Sequence, residues 1–271
     1  MRLTQSGTNF ARYEIGELTV VALRDGYVDM PSGRLRQEGD RPFGEDLPPE
    51  IALVGGQLRL SVNVFLIVEQ GRHVLIDTGA GNAWLPTMGR LHSALAEAGI
   101  ARADITPVAF THTHTDHVNG LVADDGAEAF PNLQHLFVPQ EEVSTFDQKE
   151  RLKRFRERCI PFGDRFAVND RITAVQAHGH SMGHTAFEIS AGPSAKLLIW
   201  GDLVHVPSIQ FARPELTWEF DRDQGRARAS REKLLKLAAE PGDVVAGAHL
   251  DFPGVGRVTQ DDGAYRFSPI T

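Results

Sequence analysis

The feature that most limits how this chain can fold is a dense run of metal-binding side chains, HTHTDH, at residues 112–117. Histidine is the commonest metal ligand, and carboxylates accompany it where a metal must activate water. The run follows a short apolar segment, so His112 and His114 leave a strand two residues apart and point to the same side. Asp116 and His117 follow on a turning backbone and can face a second metal. The pattern predicts a metal site, which we favour over a polar loop with incidental histidines.

Composition excludes several classes of protein. A chain of 271 residues, 41% hydrophobic and 24% charged, has the size and balance of a soluble globular protein. Its formal net charge of −8 argues against a nucleic-acid partner, because phosphate binding normally needs a positive surface. The only cysteine, Cys159, excludes a disulfide framework and a cysteine-rich zinc module.

The chain has no apolar segment of the kind that targets a protein to a membrane. Its N-terminus lacks the apolar core of a signal peptide, and no apolar run approaches the length of a spanning helix. We therefore expect a cytoplasmic protein without a membrane partner. No repeat or long linker interrupts residues 1–271, so we expect a single domain.

Apolar periodicity predicts strands and helices in both halves of the chain. A first strand, Leu18–Leu23, is expected to end in the turn signal Asp25-Gly26. Residues 28–58 are expected to be an irregular excursion, either a lid or a subunit contact in a homodimer. The further predicted strands are Val62–Glu69, His73–Asp77, residues 136–138, Ile172–Ala177, Ala186–Ser190, Lys196–Trp200 and Val244–Ala246. The predicted helices are Thr87–Ala98, residues 140–158 and Gln224–Glu240. Two strand-rich halves with helices predict two sheets packed face to face, with helices outside.

Further potential ligands follow predicted strands directly. His180 and His184 lie in the segment HGHSMGH after one strand, Asp202 follows the next, and His249 follows the last. A strand end is a rigid position that can hold a ligand to the tolerance that catalysis needs. We therefore expect these side chains to complete the site begun by HTHTDH.

The succession HTHTDH, GHSMGH, GD after an apolar strand and then AH resembles the metallo-β-lactamase superfamily along most of the chain. This resemblance implies an α/β fold, the four-layer αββα sandwich, with a dinuclear metal centre at one edge. It implies that Asp202 bridges the two metals. The ligands it implies are His112, His114 and His180 for one metal, and Asp116, His117 and His249 for the other.

The resemblance also implies supporting residues. By analogy with the GHTPGH pattern of the family, His180 is the ligand in GHSMGH and His184 buttresses the loop. Asp77, in the IDTG turn, is expected to brace the ligand loop by hydrogen bonds, although an ordinary turn aspartate would look the same.

The ligand types indicate the metal and exclude one reaction. Nitrogen and oxygen ligands with a bridging carboxylate suit two zinc ions, while iron, manganese and cobalt stay open. Zinc β-lactamases of the commonest class use a cysteine ligand and lack an equivalent of Asp116, so β-lactam hydrolysis is not expected.

The expected chemistry is hydrolysis. Two close metals lower the pKa of a bridging water, and the resulting hydroxide attacks the electrophilic centre of the substrate. Asp116 is expected to accept the proton and later to protonate the leaving group.

The substrate is indicated by two segments, WGDLVHVPSIQFARPELTWEF and AHLDFPGVGRVTQDDGAYRFSPI, which are similar to the methyl parathion hydrolase branch. That branch lies beside the N-acyl homoserine lactonases. Three residues after the bridging aspartate, organophosphate hydrolases carry leucine and quorum-quenching lactonases carry tyrosine, whereas this chain carries His205. We expect His205 to hydrogen-bond a substrate oxygen, the alternative being a histidine packed beneath the site.

Bulky side chains are expected to shape the pocket. Trp218 and Phe220 suit a planar or acyl group, and Trp84 is expected at the same mouth unless it simply packs on the first helix. We expect a small-molecule lactone or ester as substrate, with weak, promiscuous phosphotriester hydrolysis. The alternatives are phosphotriester hydrolysis as the main activity, a mononuclear-iron sulfur dioxygenase, and a catalytically silent binding protein.

Overall fold

The longest strands are buried on both faces, which places them in the middle of a layered structure. A computed structural model describes residues 1–44, 47–193, 195–239 and 243–271. In the strand Leu58–Glu69, Val64 and Leu66 point into one apolar cluster, while Phe65 and Ile67 point into another. Because side chains alternate along a strand, this pattern requires packing partners above and below the sheet.

The first sheet has eight strands in the order β1-β2-β3-β6-β7-β8-β9-β10. Its strands are β1 Arg2–Ser6, β2 Phe10–Ile15, β3 Leu18–Met30, β6 Leu58–Glu69, β7 Arg72–Ile76, β8 Pro107–Ala109, β9 His135–Pro139 and β10 Cys159–Phe162. The strands from β7 to β10 run parallel, and the others pair antiparallel.

The second sheet has seven strands in the order β11-β12-β13-β14-β16-β17-β18. Its strands are β11 Arg165–Ala167, β12 Ile172–Gln176, β13 Thr185–Gly192, β14 Ala195–Ile199, β16 Val244–Ala246, β17 Val255–Asp261 and β18 Ala264–Pro269. A three-stranded sheet of β4 Leu35–Gln37, β5 Arg41–Pro42 and β15 Thr217–Trp218 lies beside the large sheets in the order β15-β4-β5.

Helices cover the outer faces. The α-helices are α1 Leu91–Glu97, α2 Thr115–Val118, α3 Thr145–Gln148, α4 Pro207–Gln210 and α5 Gln224–Ala238. The 3-10 helices are Ser32–Arg34, Gly81–Ala83, Arg102–Asp104, Asn119–Leu121, Gln140–Glu142 and Glu150–Arg158. One apolar cluster joins the two sheets, a second joins the first sheet to α1, and a third joins the second sheet to α5. The fold is the predicted αββα sandwich.

The carboxyl ends of several strands converge at one edge of the sandwich. Parallel pairing of β7 with β8, and of β14 with β16, brings the loops that follow these strands together. The two sheets are joined at this edge by the Thr185 amide, which donates to the Thr111 carbonyl at 2.9 Å. The Asn63 amide likewise donates to the Ala248 carbonyl at 2.9 Å. These two hydrogen bonds therefore fix the positions of the segments that carry the candidate ligands.

The turn predicted at Asp25-Gly26 is wrong. Strand β3 continues to Met30 with an irregular register between Arg24 and Gly26. Gly26 has φ +152°, and a Cβ there would lie 2.1 Å from the Thr87 carbonyl oxygen, so a larger side chain is excluded. The glycine therefore marks a bulge inside a strand.

The segment 28–58, predicted to be irregular, is partly ordered as strands, although its residues 45 and 46 lie outside the described part of the chain. Leu35 of β4 pairs with Trp218 of β15, which ties this segment to the second half of the chain.

Three predicted helices have different bounds. The first begins at Leu91 rather than Thr87, because Gly89 adopts φ +82° and interrupts the helical backbone. Residues 140–158 form short 3-10 and α-helical pieces that break at Lys149, whose backbone is extended. The long helix α5 ends at Ala238, and its predicted last residue, Glu240, lies outside the described residues.

Within the described ranges, none of the helices combines the length and apolar character needed to cross a lipid bilayer.

Candidate metal centre

The HTHTDH run changes backbone conformation in its middle. Strand β8 ends at Ala109, and helix α2 begins only at Thr115, so the first half of the run is extended. His114 has φ −62° and ψ 162°, whereas Asp116 and His117 lie within α2. This switch from an extended to a helical backbone sends the two halves of the run in different directions.

The structure collects the predicted ligands into two groups that share one carboxylate. In each group one nitrogen or oxygen atom per residue lies within 4.8 Å of all the others. The first group is His112, His114, His180 and Asp202, and the second is Asp116, His117, Asp202 and His249. These are the two sets that the family resemblance implies, with Asp202 common to both.

The distances between donor atoms suit small divalent ions. In the first group, His114 Nδ1 lies 3.0 Å from His180 Nε2, which is 3.2 Å from Asp202 Oδ2. In the second, His117 Nε2 lies 3.0 Å from Asp202 Oδ1, and His249 Nε2 lies 3.6 Å from Asp116 Oδ2. Tetrahedral ligands about 2.1 Å from zinc stand about 3.4 Å apart, so both groups have the spacing of a coordination sphere.

Buried donor atoms without partners support a cation at this place. The Nε2 atoms of His112 and His117 and the Oδ1 atom of Asp202 are inaccessible and accept or donate no hydrogen bond within the described residues. A buried polar atom without a hydrogen-bond partner costs free energy and is rare. Three such atoms in one cluster therefore indicate a binding site for a cation. The residues present therefore fit two divalent metal ions.

Contacts at Nδ1 fix the ring orientations of three histidines of the donor groups. His117 Nδ1 lies 2.9 Å from Asp77 Oδ2, and His249 Nδ1 lies 2.7 Å from the Ser61 carbonyl oxygen. His112 Nδ1 lies 3.2 Å from the hydroxyl of Thr111. With Nδ1 engaged, each of these rings presents Nε2 to the centre, which is the usual arrangement around a metal.

Asp77 does more than contact a histidine. Its oxygens also accept from the Thr111 amide at 2.9 Å and the Thr111 hydroxyl at 2.8 Å. These contacts brace the start of the HTHTDH run in the way that the sequence predicts for this residue.

His180 is held by Asp221, which the sequence did not indicate. Asp221 Oδ1 lies 2.9 Å from His180 Nδ1, and Asp221 Oδ2 accepts from the Trp218 amide at 2.8 Å. The guanidinium of Arg231 is fully buried and lies 3.7 Å from Asp221. No local signal distinguishes Asp221 from other loop aspartates, since its partner is 41 residues away in the chain.

The backbone of Asp202, the residue common to both donor groups, is held by His184. His184 Nε2 accepts the Asp202 amide at 3.0 Å, and His184 Nδ1 lies 2.8 Å from the Ala177 carbonyl oxygen. Burial, together with His180, lowers the pKa of His184 to about 3, so the ring is neutral and can accept this bond. His184 thus supports the loop, and backbone groups engage both of its ring nitrogens.

The carboxylates dominate the electrostatics of the centre. Burial alone would lower the pKa of His180, but Asp202 and Asp221 raise it to about 9. Burial would raise the pKa of Asp202, yet the surrounding histidines hold it well below its usual value. The carboxylates therefore give the centre a negative potential that attracts cations, and in the metal-free protein protons on the histidines supply part of that positive charge.

A pocket of about 490 Å³ opens onto the centre. All four predicted substrate residues line it, together with ligands from both groups: Trp84, His205, Trp218, Phe220, His114, Asp116, His180, Asp202 and His249. Trp84 and Phe220 are about half exposed at the mouth, whereas Trp218 is buried. Trp84 therefore lies at the mouth of the pocket.

His205 lies at the floor of the pocket between two rings. It stacks on Trp218 with ring centroids 5.1 Å apart and on His249 with centroids 5.1 Å apart. Its Nε2 is 3.4 Å from Asp202 Oδ2, but neither ring nitrogen makes a hydrogen bond within the described residues. Burial lowers the pKa of His205 to about 4, so the ring is neutral. His205 therefore packs between Trp218 and His249 and still has ring nitrogens that are available for a hydrogen bond.

The pocket also has a polar wall that the sequence did not indicate. Glu142 accepts from the Thr113 hydroxyl at 2.8 Å and the Gly183 amide at 3.1 Å, and Thr113 contacts the Thr145 hydroxyl at 2.7 Å. Lys149 lines the same wall. Glu142, Thr145 and Lys149 come from residues 140–158, which were predicted to be one helix and which break at Lys149.

Comparisons with known proteins agree on the family. The model of the metallo-β-lactamase superfamily matches residues 58–249. No curated protein matches the sequence.

Solved structures with the same fold cover nearly the whole chain. The hydrolase AbOPH, described as a member of the β-lactamase superfamily, has a TM-score of 0.83 at 24% identity, covering 98% of this chain and 99% of that one. AidC, described as a dizinc quorum-quenching lactonase in complex with a homoserine product, has a TM-score of 0.81 at 23% identity, covering 97% and 98%. A probable metal-dependent hydrolase from Staphylococcus aureus has a TM-score of 0.75 at 22% identity, covering 94% and 99%. At these identities the similarity establishes the fold, and with the family match over most of the chain it shows that the protein belongs to the metallo-β-lactamase superfamily.

Proposed function

We propose that this protein is a dinuclear metal-dependent hydrolase that cleaves lactones or carboxylic esters. The observation that carries the proposal is the position of Asp202, whose carboxylate belongs to both donor groups at the base of a pocket. A carboxylate shared in this way is suited to hold two ions a few ångströms apart. Two such ions supply an activated water and polarise the substrate oxygen under attack.

Two complete donor groups favour two ions over one. Each group offers four donor residues, of which all but the partly buried His114 are buried, and the second still has three when Asp202 is assigned to the first. A mononuclear iron enzyme would leave His117, His249 and Asp116 buried without a cation, at a substantial cost in desolvation. We therefore rank hydrolysis ahead of the mononuclear dioxygenase alternative.

Asp116 is proposed to move the proton. Its Oδ2 lies 3.7 Å from His117 Nε2 and 3.6 Å from His249 Nε2, and the residue also lines the pocket. The carboxylate therefore belongs to the second donor group and also borders the pocket in which a substrate would bind. From this place it can take the proton of the attacking water and return it to the leaving oxygen.

The shape of the pocket supports an acyl or aryl substrate. Its volume of about 490 Å³ falls in the range of small-molecule sites. Trp218 and Phe220 form one apolar wall, and Val28 and Met30 add aliphatic surface. An ester or lactone with an apolar chain would place that chain on this wall and its carbonyl over the donor groups.

His205 is proposed to orient the reacting ester. Its ring is held in place by Trp218 and His249, so a hydrogen bond from it costs little side-chain entropy. A neutral imidazole can donate to a carbonyl or leaving-group oxygen. Branches that carry leucine at this position lack such a donor, and for this reason we rank phosphotriester hydrolysis below lactone and ester hydrolysis.

The relatives support the same choice. AidC is described as a dizinc lactonase, and a further similar structure is described as an N-acyl homoserine lactone hydrolase with its product bound at the catalytic metal centre. That second structure has a TM-score of 0.64 at 18% identity and covers 88% of this chain. We take lactones as the first substrates to test.

The test is a metal analysis followed by a substrate screen. The purified protein is expected to hold close to two zinc ions per chain, and to hydrolyse dihydrocoumarin or acyl homoserine lactones faster than paraoxon-like triesters. The variant Asp202→Asn is expected to lose metal and turnover together, while Asp262→Asn, in an exposed hairpin turn, is the matched control. Triester turnover above that of every lactone and ester would reverse the ranking, and one iron per chain would remove the dinuclear mechanism.

A further inference from the structure

Lys149 stands out in the pocket because, in the part of the chain that the structure describes, it has no anionic partner. It is the only lysine or arginine among the described residues that line this pocket. Its side chain is partly buried, and no hydrogen bond or ion pair to it is found within the described residues. A cation removed from water without a partner is unusual, because desolvation of the charge costs free energy that a partner normally offsets.

The neighbouring carboxylates are already engaged. Glu142, on the same wall, accepts from Thr113 and from the Gly183 amide. Asp116 lies among the donor atoms of the second group. Neither carboxylate is within ion-pair distance of Lys149 in the described structure.

The electrostatic field at Lys149 becomes more positive when metals bind. Burial lowers the pKa of Lys149, the charge of Asp116 opposes that effect, and Arg151 adds to it. Two divalent ions at the centre would neutralise Asp116 and Asp202 and leave positive charge over. The pocket would then contain two sources of positive charge, the metal centre and Lys149. Both would attract an anionic group of a bound substrate.

The backbone holds Lys149 in this position. The residue lies at the break between α3 and the 3-10 helix Glu150–Arg158, with φ −89° and ψ 110°. Its amide donates to the Thr145 carbonyl at 3.0 Å. The next lysine along the chain, Lys153, is instead exposed and paired with Glu150 at 2.6 Å.

We propose that Lys149 is a specificity-determining residue that binds a carboxylate carried by the substrate, so that the preferred substrate is an anionic ester or lactone rather than a neutral one. This inference rests on the proposed function. The apolar wall would contact the chain between the ester and the carboxylate, and Lys149 would pair with the carboxylate at its far end. Hydrolysis itself is unchanged: water adds OH to the acyl carbon and H to the leaving oxygen.

The kinetic test compares matched substrates and variants. The 4-nitrophenyl monoesters of dicarboxylic acids from succinate to azelate are compared with the corresponding neutral 4-nitrophenyl alkanoates. The wild-type enzyme is expected to favour one anionic chain length in kcat/KM by about tenfold or more, equivalent to about 1.4 kcal/mol. Lys149→Met should abolish this preference by raising KM for the anionic esters more than for the neutral ones, and Lys149→Arg should restore part of the preference.

The control variant is Lys153→Met, which removes a charge from the same segment outside the pocket and should leave the preference intact. An equal loss in Lys153→Met would mean a general charge effect, which would overturn the proposal. A wild-type preference for the neutral esters at every chain length would overturn it as well.

A binding measurement separates this inference from the proposed function. Calorimetric titration with the dicarboxylate of the preferred length and with hexanoate tests recognition without turnover. Weaker dicarboxylate binding in metal-loaded Lys149→Met, with hexanoate binding unchanged, supports the inference even if no ester is hydrolysed. Ester hydrolysis with identical dicarboxylate affinity in wild type and Lys149→Met would leave the function standing and refute the role of Lys149.

Discussion

Asp221 Oδ1 lies 2.9 Å from His180 Nδ1, so a loop aspartate determines which nitrogen of this histidine faces the metal centre. The same carboxylate accepts the Trp218 amide at 2.8 Å. One residue therefore positions a candidate metal ligand and the aromatic wall of the pocket together. The guanidinium of buried Arg231 lies 3.7 Å from the Asp221 carboxylate. Arg231 is itself held in place because it donates to the Leu203 and Leu216 carbonyls, both at 2.6 Å.

Replacing Asp221 should weaken metal binding. In Asp221→Asn the amide oxygen can still accept a bond, but the charge that favours the His180 orientation is lost. We expect the metal affinity to fall by about 10- to 100-fold, a range typical of such supporting contacts. Competition with a chelator measures the dissociation constant, and an affinity equal to that of wild type would show that the contact is dispensable.

Metal binding should also strengthen with rising pH. In the metal-free protein the pKa of His180 is raised to about 9, so the ring is protonated at neutral pH and must lose a proton before Nε2 can bind a cation. The stability that this proton adds to the metal-free fold is present below the ordinary histidine pKa and is lost as the pH rises through about 9. We expect metal affinity to rise between about pH 6.5 and 9, by up to about tenfold per unit for one released proton. Chelator competition across this interval checks the slope, and a flat profile would contradict it.

Asp116→Asn separates proton transfer from metal binding. The asparagine keeps an oxygen near His117 and His249, but it cannot take up a proton. If Asp116 moves the proton, kcat should fall by about 100-fold or more while metal content stays close to that of wild type. Turnover and metal content are measured on the same preparation, and unchanged turnover would remove Asp116 from this role.

His205→Phe tests whether this residue acts through its nitrogens or through its ring. Phenylalanine preserves stacking between Trp218 and His249 and removes the hydrogen-bonding atoms. We expect kcat/KM for lactones to fall by about tenfold or more, the value of one hydrogen bond to a reacting oxygen, with the melting temperature nearly unchanged. If lactone hydrolysis is as fast as in wild type, His205 serves only to pack the floor.

Asp25→Asn should destabilise the fold away from the centre. Asp25 accepts three backbone amides, from Ala80 at 2.9 Å and from Gly89 and Leu91 at 3.2 Å each. In either orientation, an asparagine would turn its own NH2 group toward at least one of these donors. We expect a loss of about 1–3 kcal/mol in the free energy of unfolding, measured in urea. Asp29→Asn, which breaks an exposed pair with Arg59, is the control and should cost less than about 1 kcal/mol.

Local patterns in the sequence predicted the parts of the structure that depend on near neighbours. The spacing of HTHTDH predicted that His112 and His114 would diverge from Asp116 and His117, because two residues of extended chain and one helical turn fix those directions. The strands before His180, Asp202 and His249 could be predicted because each is a short apolar run. Their convergence follows from the family resemblance and from the αββα layers.

Local patterns failed where distant contacts decide the outcome. The Asp25-Gly26 pair is typical of a turn, but β3 continues through it because neighbouring β6 pairs on both sides and Thr87 approaches too closely for a side chain. Residues 140–158 have the composition of a helix, yet they form three separate helical pieces with an extended break at Lys149.

The sequence by itself determined the donor types, their order and the strand ends that carry them, because these depend on residue identity and short-range geometry. Only the tertiary structure decided that Asp221 would hold His180, that His205 would lie between Trp218 and His249, and that Lys149 would line the pocket without an ion-pair partner among the residues described. Each of these relationships depends on residues that are far apart in the chain. Their contribution to the free energy depends on burial, and no local sequence pattern specifies burial.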